Sequence, residues 1–300
     1  MEGRISSCDR RVPRAGRKPE TALTASIKGT APITGVSSGI GAVYADRLAK
    51  RGYPLSSQEL PMLDTLRHVI EAHGGLEHWN QHKALSVDLV VGGILWGLKG
   101  QAGKLERTNV TVGLGEEWAS HQPFGPDNRR TRFSPDRVAI EDAQGKVLEE
   151  LAVPRASFAG HTLETLWTEP QLAYFAGYAM WTYLNLPFLA LHEGVEVEEL
   201  PIWHENGEAW RPLRLTFSDT IATHSKVQTI YAGDDGLLRR HDYAVEIAGD
   251  SPAAHYLGKY VTVDGIKFPT ERRVYVAGPD GKPMPDLMTV SIDLSNYRFV

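Results

Sequence analysis

Three Asp-Gly pairs, Asp235-Gly236, Asp264-Gly265 and Asp280-Gly281, each stand between runs rich in Val, Ile, Tyr and Phe, and Gln144-Gly145 is a weaker case of the same arrangement. A two-residue turn between paired strands needs left-handed backbone conformations that Asp-Gly adopts readily, so each pair predicts a hairpin with antiparallel neighbours. The flanking runs carry the matching period. Leu213, Leu215 and Phe217 in LRLTF, and Met288, Val290, Ile292 and Leu294 further on, alternate with other residues as half-buried strands do. Strand, turn and strand recur at spacings too short for the crossover helices of a parallel sheet. The reading is a mainly β chain of the α+β kind, a long antiparallel meander curved into an incomplete barrel.

Two helical segments interrupt this pattern. Leu60 to His73 is amphipathic, with Leu63, Leu66, Val69 and Ile70 on or near one face and Gly74 and Gly75 to close it. A short helical turn through Leu76, Trp79 and His82 then leads into the strand-like ALSVDLVVGG. The second segment, an insertion at about 158–191, holds Trp167, Tyr174, Phe175, Tyr178, Trp181, Tyr183 and Phe188. Pro170 suits a first helical turn and Pro187 limits the end, predicting one helix or a helical hairpin. Its apolar stretch approaches membrane-spanning length, but Asn185, Pro187 and the repeated Tyr hydroxyls favour a helix packed across a curved sheet, so no integral membrane segment is expected.

Composition excludes some partners. With 42% hydrophobic and 23% charged residues the chain can bury a core, and a net charge of −5 lacks the cationic field that nucleic acid selects. Residues 1–27 read as a disordered basic arm. They carry Arg4, Arg10, Arg11, Arg14, Arg17 and Lys18 where a secretory signal would be apolar, and the lone Cys8 excludes an intramolecular disulfide, so a cytoplasmic location is expected.

Residues 28–56 begin with KGTAPITGVSSGIGAVYADRLAKRGY, whose Thr34, Gly35, Gly39 and Gly41 resemble the TGxxxGxG turn of the short-chain dehydrogenase/reductase family. That resemblance implies cofactor binding by Thr34, Gly35, Gly39 and Gly41, with pyrophosphate at a helix N-terminus and NAD(P)-dependent hydride transfer. The pattern stops there. Tyr53 is followed by PLSSQEL instead of a second apolar strand, Pro32 removes a donor from the first strand, and no Tyr has Lys four positions later, which omits the family's acid/base pair. The segment is therefore read as a truncated, non-functional βα fragment, and no cofactor is expected outside a reductase alternative.

From about Leu60 to Val300, the order of one helix, a meander and a helical insertion, with the pairing of DGLLRRHDYAVEI and DGIKFPTERRVYV, resembles the LolA/LolB-like lipoprotein-carrier fold. The resemblance implies that residues 57–300 form one half-barrel domain around a helical plug, with an apolar cavity for a lipid-like small molecule. From the residues themselves, Trp96, Tyr178, Trp181 and Tyr183 are candidates to line such a pocket. Alternation puts His241 and Tyr243 inward with Val245 and Ile247, turns Asp242 away, and sets His224 and His255 in nearby strands. His241 and Tyr243 join the ligand-binding candidates. His241 and His255 are also the candidate acid/base groups of an alternative in which the cavity is an active site. His78 and His82, at helical i, i+4 spacing, make half a metal site at most, and no metal is expected.

Overall fold

The computed structural model describes residues 62–125 and 128–300, together with two short strands of the preceding chain. The chain divides into two units, Met1–Leu60 and Pro61–Val300. In the first, β1 (Ala31–Pro32) pairs in parallel with β2 (Leu55–Ser56). The basic arm, and Thr34, Gly35, Gly39 and Gly41 with the helix expected after them, lie outside the described residues.

The second unit opens with α1 (Asp64–Ala72), α2 (Leu76–Trp79), β3 (Ala84–Gly92) and α3 (Leu95–Leu98). A meander follows: β4 (Arg107–Gly113), β5 (Ala119–Gln122), β6 (Arg130–Ser134), β7 (Arg137–Glu141) and β8 (Val147–Ala152). Then come α4 (Glu169–Asn185) and the strands β9 (Val195–Glu199), β10 (Trp203–Glu205), β11 (Glu208–Phe217), β12 (Val227–Ala232), β13 (Leu238–Val245), β14 (Ser251–Val263), β15 (Ile266–Ala277) and β16 (Pro283–Phe299). The fourteen strands form one open, curved, antiparallel sheet in the order β10-β11-β12-β13-β14-β15-β16-β3-β4-β5-β6-β7-β8, with β9 beside β11. Tight turns connect β12 to β13 at Asp235-Gly236, β14 to β15 at Asp264-Gly265 and β15 to β16 at Asp280-Gly281, and Gly236, Gly265 and Gly281 all take positive φ.

The alternation read from the sequence is the alternation of burial. Leu213, Leu215 and Phe217 on β11, and Val290, Ile292 and Leu294 on β16, are all buried. Across this face lies α4. A capping box starts it: Gln171 N donates to Thr168 Oγ1 at 3.3 Å and Thr168 N to Gln171 Oε1 at 2.9 Å. Every residue from Pro170 to Asn185 is buried, as an all-round apolar helix requires. It packs on β4 to β8, and most closely where Gly177 meets Phe133, since a Cβ at Gly177 would overlap that ring.

Some local expectations need correction. α1 begins at Asp64, not Leu60, because Leu63 is its N-cap and half-exposed. His82 falls outside α2 and stacks on Phe299 at 3.5 Å between ring centroids, whereas His78 Nδ1 meets the Gly74 carbonyl at 2.9 Å, so the two imidazoles do not share a site. The insertion is a single helix flanked by short turns at Pro154–Phe158 and Phe188–Leu191, rather than a helical hairpin. DGLLRRHDYAVEI and DGIKFPTERRVYV supply β13 and β15, which are not paired with each other: β14 lies between them. His224 lies in the loop between β11 and β12, not in a strand.

Candidate ligand-binding site

The sheet brings a group of polar side chains under the C-terminal half of α4. Tyr183 reaches down from the helix, His241 and Tyr243 point up from β13, His255 from β14 and Arg272 from β15, and the loop before β12 adds His224; all six are buried. The Tyr183 and Tyr243 hydroxyls are hydrogen-bonded to each other, and His224 Nε2 lies 2.9 Å from Tyr183 Oη. Gln228 Oε1 is 2.6 Å from His241 Nε2, and because a carbonyl oxygen only accepts, His241 carries its proton on Nε2. Gln228 in turn donates to Thr223 Oγ1 and the Ser225 carbonyl, at 2.7 and 3.0 Å.

Burial dominates the electrostatics of this cluster. It pulls the His241 imidazole down to about 3, aided by the nearby Arg272 charge, and holds His224 and His255 well below the ordinary histidine range. All three are therefore neutral at pH 7. Burial likewise raises the Tyr183 and Tyr243 hydroxyls, so neither ionises near neutrality. Unused hydrogen-bonding groups remain: Nδ1 of His224, His241 and His255, and Nε of Arg272, have no partner among the described residues.

Beside the cluster the helix fits the sheet loosely. Two apolar gaps of about 30 Å³ each lie between α4 and the strands that face its other flank. The outer gap is bounded by Leu89, Phe175, Met180, Tyr183, Val290 and Ile292; the inner one shares Phe175, Tyr183 and Val290 and adds His224, Tyr243 and Val274. The outer gap also shares Val91, Trp96 and Leu105 with a surface recess of about 300 Å³ ringed by Gly92, Gly93 and Gly97. Trp96 thus stands between solvent and seam, its Nε1 donating to the Gly92 carbonyl at 2.9 Å and its ring edge-on to Phe175.

A larger recess, about 490 Å³, lies elsewhere, and four of its charged groups are paired: Arg155 with Glu246, and Lys226 with Asp219 at 2.9 Å. Near it Glu117 accepts from Ala222 N at 3.1 Å through one oxygen, and burial pushes its carboxyl up to about 8.

Of the residues singled out from sequence, Tyr183, His241, Tyr243 and His255 come together, and Tyr178 stands next to them, its ring 5.0 Å from that of His224. Trp96 is at the mouth of the seam. Trp181 is separate, its Nε1 donating to the Glu116 carbonyl at 3.1 Å and its ring edge-on to His192. Neither His241 nor His255 lines a gap. Arg272 and Gln228 are not among those residues, and Phe175 is read from sequence only as part of the aromatic insertion; for Arg272 a signal existed, since alternation through Phe268 and Val274 sets it on the inward face. Among the described residues no group of three His, Cys, Asp or Glu side chains converges as metal ligands.

No protein-family model matches the chain, and no curated protein matches it. Among solved structures the chain is similar to a LolA superfamily protein from Nitrosomonas europaea, at 10% identity over 79% of this chain and 92% of that one, with a TM-score of 0.45. It is also similar to a DUF1329 family protein from Desulfovibrio piger, at 12% identity over 78% and 91% with a TM-score of 0.38. A third is the lipoprotein LppX from Mycobacterium tuberculosis, at 8% identity over 77% and 94% with a TM-score of 0.24. At these values the likeness assigns neither ligand nor activity.

Proposed function

We propose that this domain binds an apolar, lipid-like small molecule in the seam between α4 and the sheet, admitted past Trp96. The observation that carries the reading is the asymmetry of the helix seat. On one flank Gly177 is pressed against Phe133; on the other, two adjoining apolar gaps lead from a surface recess to a buried polar cluster. Sites of this kind combine an apolar lining with a few polar groups that fix orientation. Each gap holds no more than about one water, whose share of liquid volume is about 30 Å³, so the seam described is closed and a ligand widens it on binding. The side chains that must move, Trp96, Phe175 and Met180, are large and unbranched at Cβ, and methionine in particular repacks readily.

Titration of the full chain with the neutral dye Nile red tests the reading. Saturable binding is expected. Trp96→Ala should speed dye uptake several-fold by removing the indole from the mouth, and Ala179→Leu, which fills the outer gap, should weaken binding about tenfold, the loss of one to two apolar contacts. A folded wild-type chain that takes up no dye saturably, or uptake unchanged by both substitutions, would overturn it.

A further inference from the structure

Two arginines in this domain are completely enclosed, and only one of them is neutralised. Arg240, on β13, contacts two carboxylates, Glu205 at 2.8 Å and Asp242 at 2.6 Å, and lies over the rings of Trp203, Tyr231 and Tyr256. Arg272, on β15, is 1% exposed and has no carboxylate partner among the described residues. Its Nη2 donates to the Tyr183 carbonyl at 2.6 Å, its Nη1 approaches His255 Nε2 at 3.5 Å, its guanidinium sits over the Tyr183 ring at 5.1 Å, and its Nε has no partner. A guanidinium remains charged at neutral pH, and an isolated charge in an apolar interior is costly. The groups around Arg272 supply no counter-charge, because His224, His241 and His255 are neutral and the Tyr183 and Tyr243 hydroxyls keep their protons.

Tyr183 links this unpaired cation to the seam. One and the same residue lines both apolar gaps and supports the guanidinium with its ring and its backbone carbonyl. The inner gap ends at Tyr183, Tyr243 and His224, where the Tyr183 hydroxyl is hydrogen-bonded to both the Tyr243 hydroxyl and the His224 imidazole.

We propose that the ligand is an amphiphile with a carboxylate head, seated at Arg272 and the Tyr183–Tyr243–His224 group, with its apolar tail along the seam toward Trp96. The inference rests on the binding reading above and specifies its ligand. A carboxylate fits because there is one cation to neutralise, because its two oxygens match the fork of a guanidinium, and because the enclosed space is small. To reach the guanidinium the head group moves the Tyr183 ring aside and enters between the Tyr183 and Tyr243 hydroxyls, accepting from both in place of the bond they make with each other.

The test compares dodecanoate with dodecanol, of equal chain length, as competitors of Nile red on the full chain at pH 8, where the acid is ionised. The wild type should prefer dodecanoate by at least about tenfold, the scale of a charge-assisted hydrogen bond. Arg272→Gln should abolish that preference while keeping affinity for dodecanol, and Arg272→Lys should retain part of it. Equal binding of acid and alcohol by the wild type overturns the carboxylate assignment and leaves the apolar seam standing; so does a preference that survives in Arg272→Gln. Failure of the wild type to bind either competitor, or the dye, removes the binding reading and this inference together. The wild-type comparison decides the matter even where the glutamine variant does not fold.

Discussion

Acidification from pH 7 to 5.5 should weaken this domain by several kcal/mol. His73, His121, His224, His241 and His255 are all enclosed, and burial is the main cause that lowers each: His73 to about 4, His121 and His241 to about 3, His224 and His255 well below the ordinary value. In the unfolded chain each takes up a proton near pH 6.5, so below that pH the unfolded state binds more protons and stability falls as pH falls. Between pH 7 and 5.5 the five histidines together remove about 6 kcal/mol. Glu117 acts in the opposite sense. Its carboxyl, pushed up to about 8 by burial, is protonated in the folded state before the unfolded one, which returns no more than about 2 kcal/mol over the same interval. The net loss of about 4 kcal/mol is a large share of the 5–15 kcal/mol, roughly, that a domain has. Urea unfolding followed by tryptophan fluorescence at the two pH values measures it directly. A difference below about 1 kcal/mol, or resonances of these five imidazoles that titrate near 6.5 in the folded protein, would refute the reasoning.

Two further substitutions probe the frame around the seam. Gly177→Ala should destabilise by about 1–3 kcal/mol in thermal or urea unfolding, because the overlap with Phe133 outweighs the gain of about 1 kcal/mol in helix propensity. Arg240→Ala should cost about 3–5 kcal/mol by leaving Glu205 and Asp242 without their cation, and Glu205→Gln in that background should recover part of the loss, a coupling that a double-mutant cycle reads.

The sheet was legible because its signals are local. Asp-Gly turns and alternating burial identify hairpins one pair at a time, and the aromatic run between Pro170 and Pro187 reads as one buried helix or a helical hairpin. The site was legible in part for the same reason: His241 and Tyr243 are two residues apart on one strand, so alternation alone sets them on one face. What alternation cannot supply is which strands lie side by side, and Tyr183, His255 and Arg272 join that pair only through the sheet order and the placement of α4. His224 was misassigned because a loop residue carries no period. Cavity size was also out of reach, since the same aromatic residues suit a filled core and a lined pocket equally well. Trp181 belongs to the first case, and Trp96 stands at the margin of the second.

The pairing at the centre of the sheet joins β3 to β16, and Asn296 Nδ2 donates to Asp88 Oδ2 at 2.8 Å across 208 residues of chain. On a ribosome, the meander from β3 to β8 emerges first and waits with the edge of β3 bare until β16 has been made. Such long-range closure slows folding and leaves an unpaired strand edge available to other chains in the meantime. Nascent chains lacking β16 are therefore the species for which chaperone binding and self-association should be strongest, and release of the last strand is the step that commits the domain to its native topology.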